Sequence, residues 1–264
     1  MKNYPWHCRA AFILALLMPF YFGVAALGTK FGLWSWQIGL GSLVIGAGPM
    51  LLGIAALVAL ISLIVVVSKP PRAGWHLGLI ALLIPLGIFG VLGSISTKAS
   101  DNPIHDVATD TANPPQFSEA VVSEREQADA NPLNDYGAPV GEMEMGQGLA
   151  DEAKAQSLGT FITTTYPELE PIELGNANRD KAITAVEDAM KEMGFTSVTS
   201  IAAVGIVQGV DTSFWFGFQD DVVARIGDER IDFRSVSRVG QSDLGANAER
   251  VAELRAKVAG KLAE

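Results

Sequence analysis

Three uninterrupted apolar runs, from Ala10 to Leu27, about Leu40 to Val67, and Leu77 to Ile95, open the chain, and none contains a charged residue. A helix that crosses the hydrocarbon layer needs about 20 such residues, so the pattern predicts three transmembrane helices within residues 1 to 98. The pattern then breaks. Residues 99 to 117 are rich in Pro, Asn and Asp and predict an extended and turning segment. Residues 118 to 152 carry nine acidic residues and one basic one and predict an acidic flexible linker, with a short helix near Leu149 to Leu158.

Regular alternation returns in residues 153 to 264. Ile172 to Leu174 reads as a short strand. Asn178 caps a helix whose apolar positions Ile183, Val186, Met190 and Met193 share a face, and Gly194 ends it. Four strands follow, Phe195 to Thr199, Ile206 to Thr212, Asp221 to Ile226 and Arg230 to Val239, and then a helix from about Asp243 to Leu262. Short turns between the strands argue an antiparallel meander. The fold class is an N-terminal three-helix transmembrane region followed by an α+β domain, its antiparallel sheet carrying two helices on one face.

Charge sharpens this division. All 29 acidic residues lie after Lys98, so residues 1 to 98 carry +6, while the remainder, with 13 basic residues, carries −16. Four Lys and Arg (Lys2, Arg9, Lys69, Arg72) flank the spans on one side and two (Lys30, Lys98) on the other. That excess places the N-terminus in the cytoplasm and everything after Ile95 outside it. Trp6, Trp34, Trp36 and Trp75 fall at span ends, as an aromatic belt requires. The lipid bilayer is thus a partner, and a domain this acidic excludes nucleic acid.

One corner gathers anion-seeking groups. A hairpin about Gly227 to Arg230 faces Ile226 with Ile231, Ala224 with Phe233 and Val222 with Ser235 across the core side. Arg234 and Arg238 then project from the other side of the last strand. Beyond Gly240, Ser242 or Asp243 begins a helix, with Asn247 and Arg250 one and two turns along. Arginine forks and free helix N–H groups suit phosphate and carboxylate, so Arg234, Arg238, Ser242, Asn247 and Arg250 form a candidate ligand site. Trp215, in the aromatic run "SFWFGFQDD", adds a candidate apolar rim for an amphiphile. Weighing against this, Asp221, Asp232 and Asp243 could satisfy the arginines internally, leaving a corner that is architecture alone.

Catalysis has little to work with. Cys8, the single cysteine, sits at the edge of the first apolar run, and the soluble part has one histidine. A hydrolase would rest on "IHDVATD", with His105, Asp106 and Asp110 as base or ligands. No spacing suggests a metal site or a cofactor, and binding is the stronger expectation.

The segments "PIHDVATDTANPPQF", "YPELEPIEL", "FWFGFQDDVVARI" and above all "DFRSVSRVGQSDLGANAERV" resemble the membrane-anchored bacterial members of domain-of-unknown-function family 1499. The resemblance implies one domain uniting the "IHDVATD" segment with the later sandwich, and a structural place for His105. It carries no catalytic residues. The expected protein is a multi-pass bacterial inner-membrane protein whose periplasmic domain binds a small anionic or amphiphilic molecule or another envelope protein.

Overall fold

A computed structural model describes residues 4–143, 146–175 and 178–263. The chain divides into two units, one holding the residues to Ser96 with Phe214–Gly217, the other Thr97–Ser213 with Phe218–Glu264.

In the first unit, α1 (Trp6–Lys30), α2 (Gly48–Ser68) and α3 (Trp75–Asp101) are the three apolar helices. Each is long and apolar enough to cross a membrane, and α2 is preceded by a wider π-helical stretch over Gln37–Ala47 that lengthens its span. They outrun the apolar stretches because the helices continue through flanking polar turns. Ala11, Ala15, Ala59 and Ala81 are fully buried together. Small side chains there let backbones approach closely, the usual basis of packing in lipid, where helices gain nothing from hiding leucine. Many large apolar side chains point outward, among them Leu17, Phe20, Leu57 and Leu83, while Met18, Leu52 and Leu77 turn inward. Trp6 and Trp75 are exposed at helix ends, but Trp34 packs over Gly28 and donates from Nε1 to Ala25 O at 3.1 Å, so it is a packing residue of α1.

The second unit is built on a sheet of β1 (Asp106–Ala108), β2 (Ile172–Glu173), β3 (Thr196–Ile201), β4 (Ile206–Thr212), β5 (Gln219–Ile226) and β6 (Arg230–Ser237). Its order is β1-β6-β5-β4-β3, with every pairing antiparallel, and β2 lies beside β6 beyond the end of β1. The hairpin register expected from the sequence is the one observed: Ile226, Ala224 and Val222 face Ile231, Phe233 and Ser235. These residues meet α7 (Arg179–Glu192) and α8 (Ala246–Ala263) in a core with Val186, Met190, Val251 and Leu254. Asn178 caps α7, accepting from Lys181 N at 2.9 Å, and Gly194 follows it at φ 84°. The fold class is therefore the one read from the hydrophobic pattern.

Residues 118 to 152 differ from the flexible linker expected of their composition. They contain α4 (Glu119–Gln127), a 3₁₀ turn at Val140–Glu142 and α5 (Asp151–Lys154), followed by α6 (Leu158–Thr165). Arg125, Tyr136 and Val140 are buried. Phe117, with Val121, Val122 and Leu133 against it, covers Val223 and Val236 on the sheet face opposite α7 and α8. The acids mislead because they sit on the outer side of this layer while a few apolar residues and one paired arginine turn inward. The sheet is thus covered on both faces.

Candidate functional site

Period-two alternation sends neighbouring residues of β6 to opposite faces, and this divides the expected corner in two. Arg234 and Arg238 lie under the layer formed by residues 109 to 138. Arg250 and Asn247 belong to α8 and meet Ser235 and Ser237 on the other face. The structure does not bring the five polar residues into one site.

On the outer face Arg234 is 1% exposed and grips Asp106, donating from Nε at 3.0 Å and Nη2 at 2.7 Å. Asp106 also accepts from Tyr136 OH at 2.6 Å and Asn134 N at 3.1 Å, which fills both carboxylate oxygens. Burial alone would favour a neutral guanidinium, but the hydrogen bonds and charge of Asp106 hold the Arg234 pKa above its ordinary value. Tyr136 sits well above its usual range, chiefly through burial, and keeps its proton for Asp106. In the row of Asp106, across Val236, Asp221 accepts from Arg238 Nε at 2.9 Å and Nη2 at 2.7 Å and from Arg125 Nη1. Arg238 also reaches Glu124 at 3.1 Å and Gln219 Oε1 at 3.1 Å. A third group joins Arg225 and Arg230 to Asp110 and Asp232.

On the helix face Arg250 donates to Asp211 from Nε at 2.7 Å, to Asp220 from Nη2 at 2.6 Å and to Ser235 Oγ from Nη1 at 3.1 Å. Asn247 donates to His105 O at 3.0 Å and Ser237 Oγ at 2.9 Å. Burial raises the pKa of Asp220, and Arg250 opposes that rise. The helix expected to start at Ser242 or Asp243 starts at Ala246, because Leu244 and Gly245 both take positive φ, 61° and 93°. Asp243 fills that start itself, accepting from Gly245 N at 2.7 Å and Asn247 N at 2.9 Å. Ser242 donates to Asn102 O at 2.7 Å. Trp215 stands apart from these groups, 57% exposed in the loop between β4 and β5.

His105, Asp106 and Asp110 do not assemble. His105 is buried, its Nδ1 3.4 Å from Gln241 O and its Nε2 3.3 Å from the Asn134 amide, which fits a neutral ring donating from Nδ1. Burial pulls its pKa down, with Asp106 opposing. Asp106 serves Arg234, and Asp110 serves Arg225 and Arg230. No cluster of three metal-ligating side chains occurs among the described residues.

Sequence reasoning missed Arg125, Asn134 and Tyr136. Arg125 had a signal: it is the lone basic residue among nine acids, as a charge kept for a buried partner would be.

Arg234 borders a cleft of about 330 Å³ with Thr111, Pro114, Gln116, Asn134 and Asp135. The Nη1 of Arg234, the terminal nitrogen not held by Asp106, meets Pro115 O at 3.3 Å.

The family model described as "Protein of unknown function (DUF1499)" matches residues 106–258, more than half of the chain. No curated protein and no solved structure matches it.

Proposed function

The chain belongs to the DUF1499 family, and from that premise, with a family description that assigns no activity, we propose that it is a non-catalytic, membrane-anchored binding module of the bacterial cell envelope. The excess of Lys and Arg around the first span and the second loop supports a cytoplasmic N-terminus and a periplasmic α+β domain. The observation that carries the binding reading is the cleft beside Arg234. Asp106 fixes the guanidinium in place, so a carboxylate or phosphate oxygen that displaces Pro115 O, by a shift of that buried segment, takes over the Nη1 contact without moving the arginine. Gln116 and Asn134 supply further hydrogen-bonding groups, Leu133 and Tyr136 an apolar wall, and the volume suits a small ligand. Arg238, Asn247 and Arg250 are architecture in this reading, since carboxylates of the same domain engage the arginines and Asn247 is bonded into the core.

The test is native mass spectrometry of the full chain released from nanodiscs, beside Ala112→Trp, which fills the cleft. An extra mass in the wild type that is lost in a variant with an unchanged unfolding midpoint supports the site. A bare wild-type protein sinks it and leaves an envelope protein as the partner.

A further inference from the structure

One end of the sheet is the end at which the chain arrives from α3. Asp106, Val236, Asp221 and Val210 form one row across β1, β6, β5 and β4. β1 enters the sheet at that row, and only four residues, Asn102 to His105, separate it from the end of α3 at Asp101. Four residues reach at most about 14 Å. They are also pinned at this end, since Ser242 donates to Asn102 O and Ser237 N to His105 O at 2.8 Å. From the same row β4 runs on to Thr212 and β5 starts at Gln219, so the β4–β5 turn leaves the sheet toward this end too. The turns after β3 and β5, the second carrying exposed Asp228 and Glu229, lie at the opposite end.

The β4–β5 turn is not polar, as a turn facing water would be. Ser213 N donates to Phe218 O at 2.8 Å and closes the hairpin, and between them Phe214 is 65% and Trp215 57% exposed, their rings edge to face at 5.1 Å. Two large aromatics held out together cost hydrophobic free energy in water. Beyond the row, two strand residues and the turn extend roughly 10 Å, comparable to the reach of the segment joining α3 to the sheet.

We propose that the Phe214–Trp215 tip is a second membrane contact, seated in the headgroup layer of the bilayer that α3 crosses, where Trp is enriched and Phe buries its ring at the acyl boundary. The tip and the end of α3 then clamp the domain at two points and fix which end of the sheet faces the lipid. The proposal rests on the reading that α1, α2 and α3 span the bilayer.

The experiment is photo-crosslinking of the full chain in phosphatidylcholine vesicles with p-benzoylphenylalanine placed singly at Phe214, Asp228 or Ile80, the last an exposed residue of α3. Aromatic character is retained at Phe214, and an unchanged urea midpoint confirms the fold. The expected result is lipid adducts at Ile80 and Phe214, with yield at Phe214 at least about fivefold above that at Asp228. Adducts at Ile80 but none above the Asp228 level at Phe214, or crosslinks from Phe214 to protein alone, overturn the tip. No lipid adduct at Ile80 overturns the membrane reading beneath it.

Discussion

Replacing Arg234 by methionine keeps most of the side-chain volume and removes the charge, leaving the Asp106 carboxylate fully buried with only Tyr136 OH and Asn134 N to satisfy it. Breaking a buried pair from one side costs about 3 to 5 kcal/mol, since the remaining charge has neither water nor partner. For a domain of this size each kcal/mol moves the thermal midpoint by about 2 to 4 °C, so the loss is roughly 6 to 20 °C. The double variant Arg234→Met, Asp106→Leu removes both charges. It leaves the Tyr136 hydroxyl and Asn134 N without their acceptor; the buried hydroxyl costs about 1 to 3 kcal/mol, while Asn134, only half-buried, can turn to water. The double variant is therefore more stable than Arg234→Met alone, with non-additivity of about 2 kcal/mol or more. Urea-dependent pulse proteolysis of the full chain in nanodiscs reads these differences from the soluble domain. A loss below about 1 kcal/mol for Arg234→Met, or strict additivity, would refute the claim that this pair is buried and holds the sheet to the layer above it.

Three more expectations follow from the same packing. Arg125→Met costs about 1 to 3 kcal/mol in the same assay, because Asp221 keeps Arg238 but loses one of its donors; a free linker would register nothing. Asn178→Ala costs about 1 kcal/mol by uncapping α7, measured as a shift in urea midpoint. His105, facing Asp106, Arg125 and Asp220, has a folded-state pKa below its ordinary 6.5, chiefly through burial. The unfolded chain takes the proton first, so His105 contributes stability that is full above 6.5 and declines as pH falls from there to the folded value. His105→Gln flattens that part of the pH–stability curve, and an unaltered slope would contradict the buried neutral ring.

Hydrophobic periodicity made the meander of β3 to β6, its hairpin register and both core helices legible, because each buries one regular face, whereas β1 lay hidden in the extended segment. Strand alternation placed Arg234 and Arg238 on the face away from Phe233 and Ser235. The same alternation separates them from Arg250, since α8 packs on the Ser235 side, and the corner treated as one site is two. What covers the arginine face was hidden for a physical reason. The covering layer is locally polar, and its inward residues, Phe117, Arg125 and Tyr136, follow no helical or strand period that a window could detect. The partner of Arg234 was visible only as a catalytic candidate: Asp106 lies 128 positions away, and sequence spacing says nothing of such a pairing.

The side of the membrane that holds the α+β domain decides the envelope reading. With Cys8→Ala removing the native thiol, Asp228→Cys supplies one exposed thiol in the β5–β6 turn. A membrane-impermeant maleimide applied to intact spheroplasts labels this cysteine if the domain is extracytoplasmic, as the account predicts. Labelling that appears only after the membrane is permeabilised would place the domain in the cytoplasm and contradict the envelope reading.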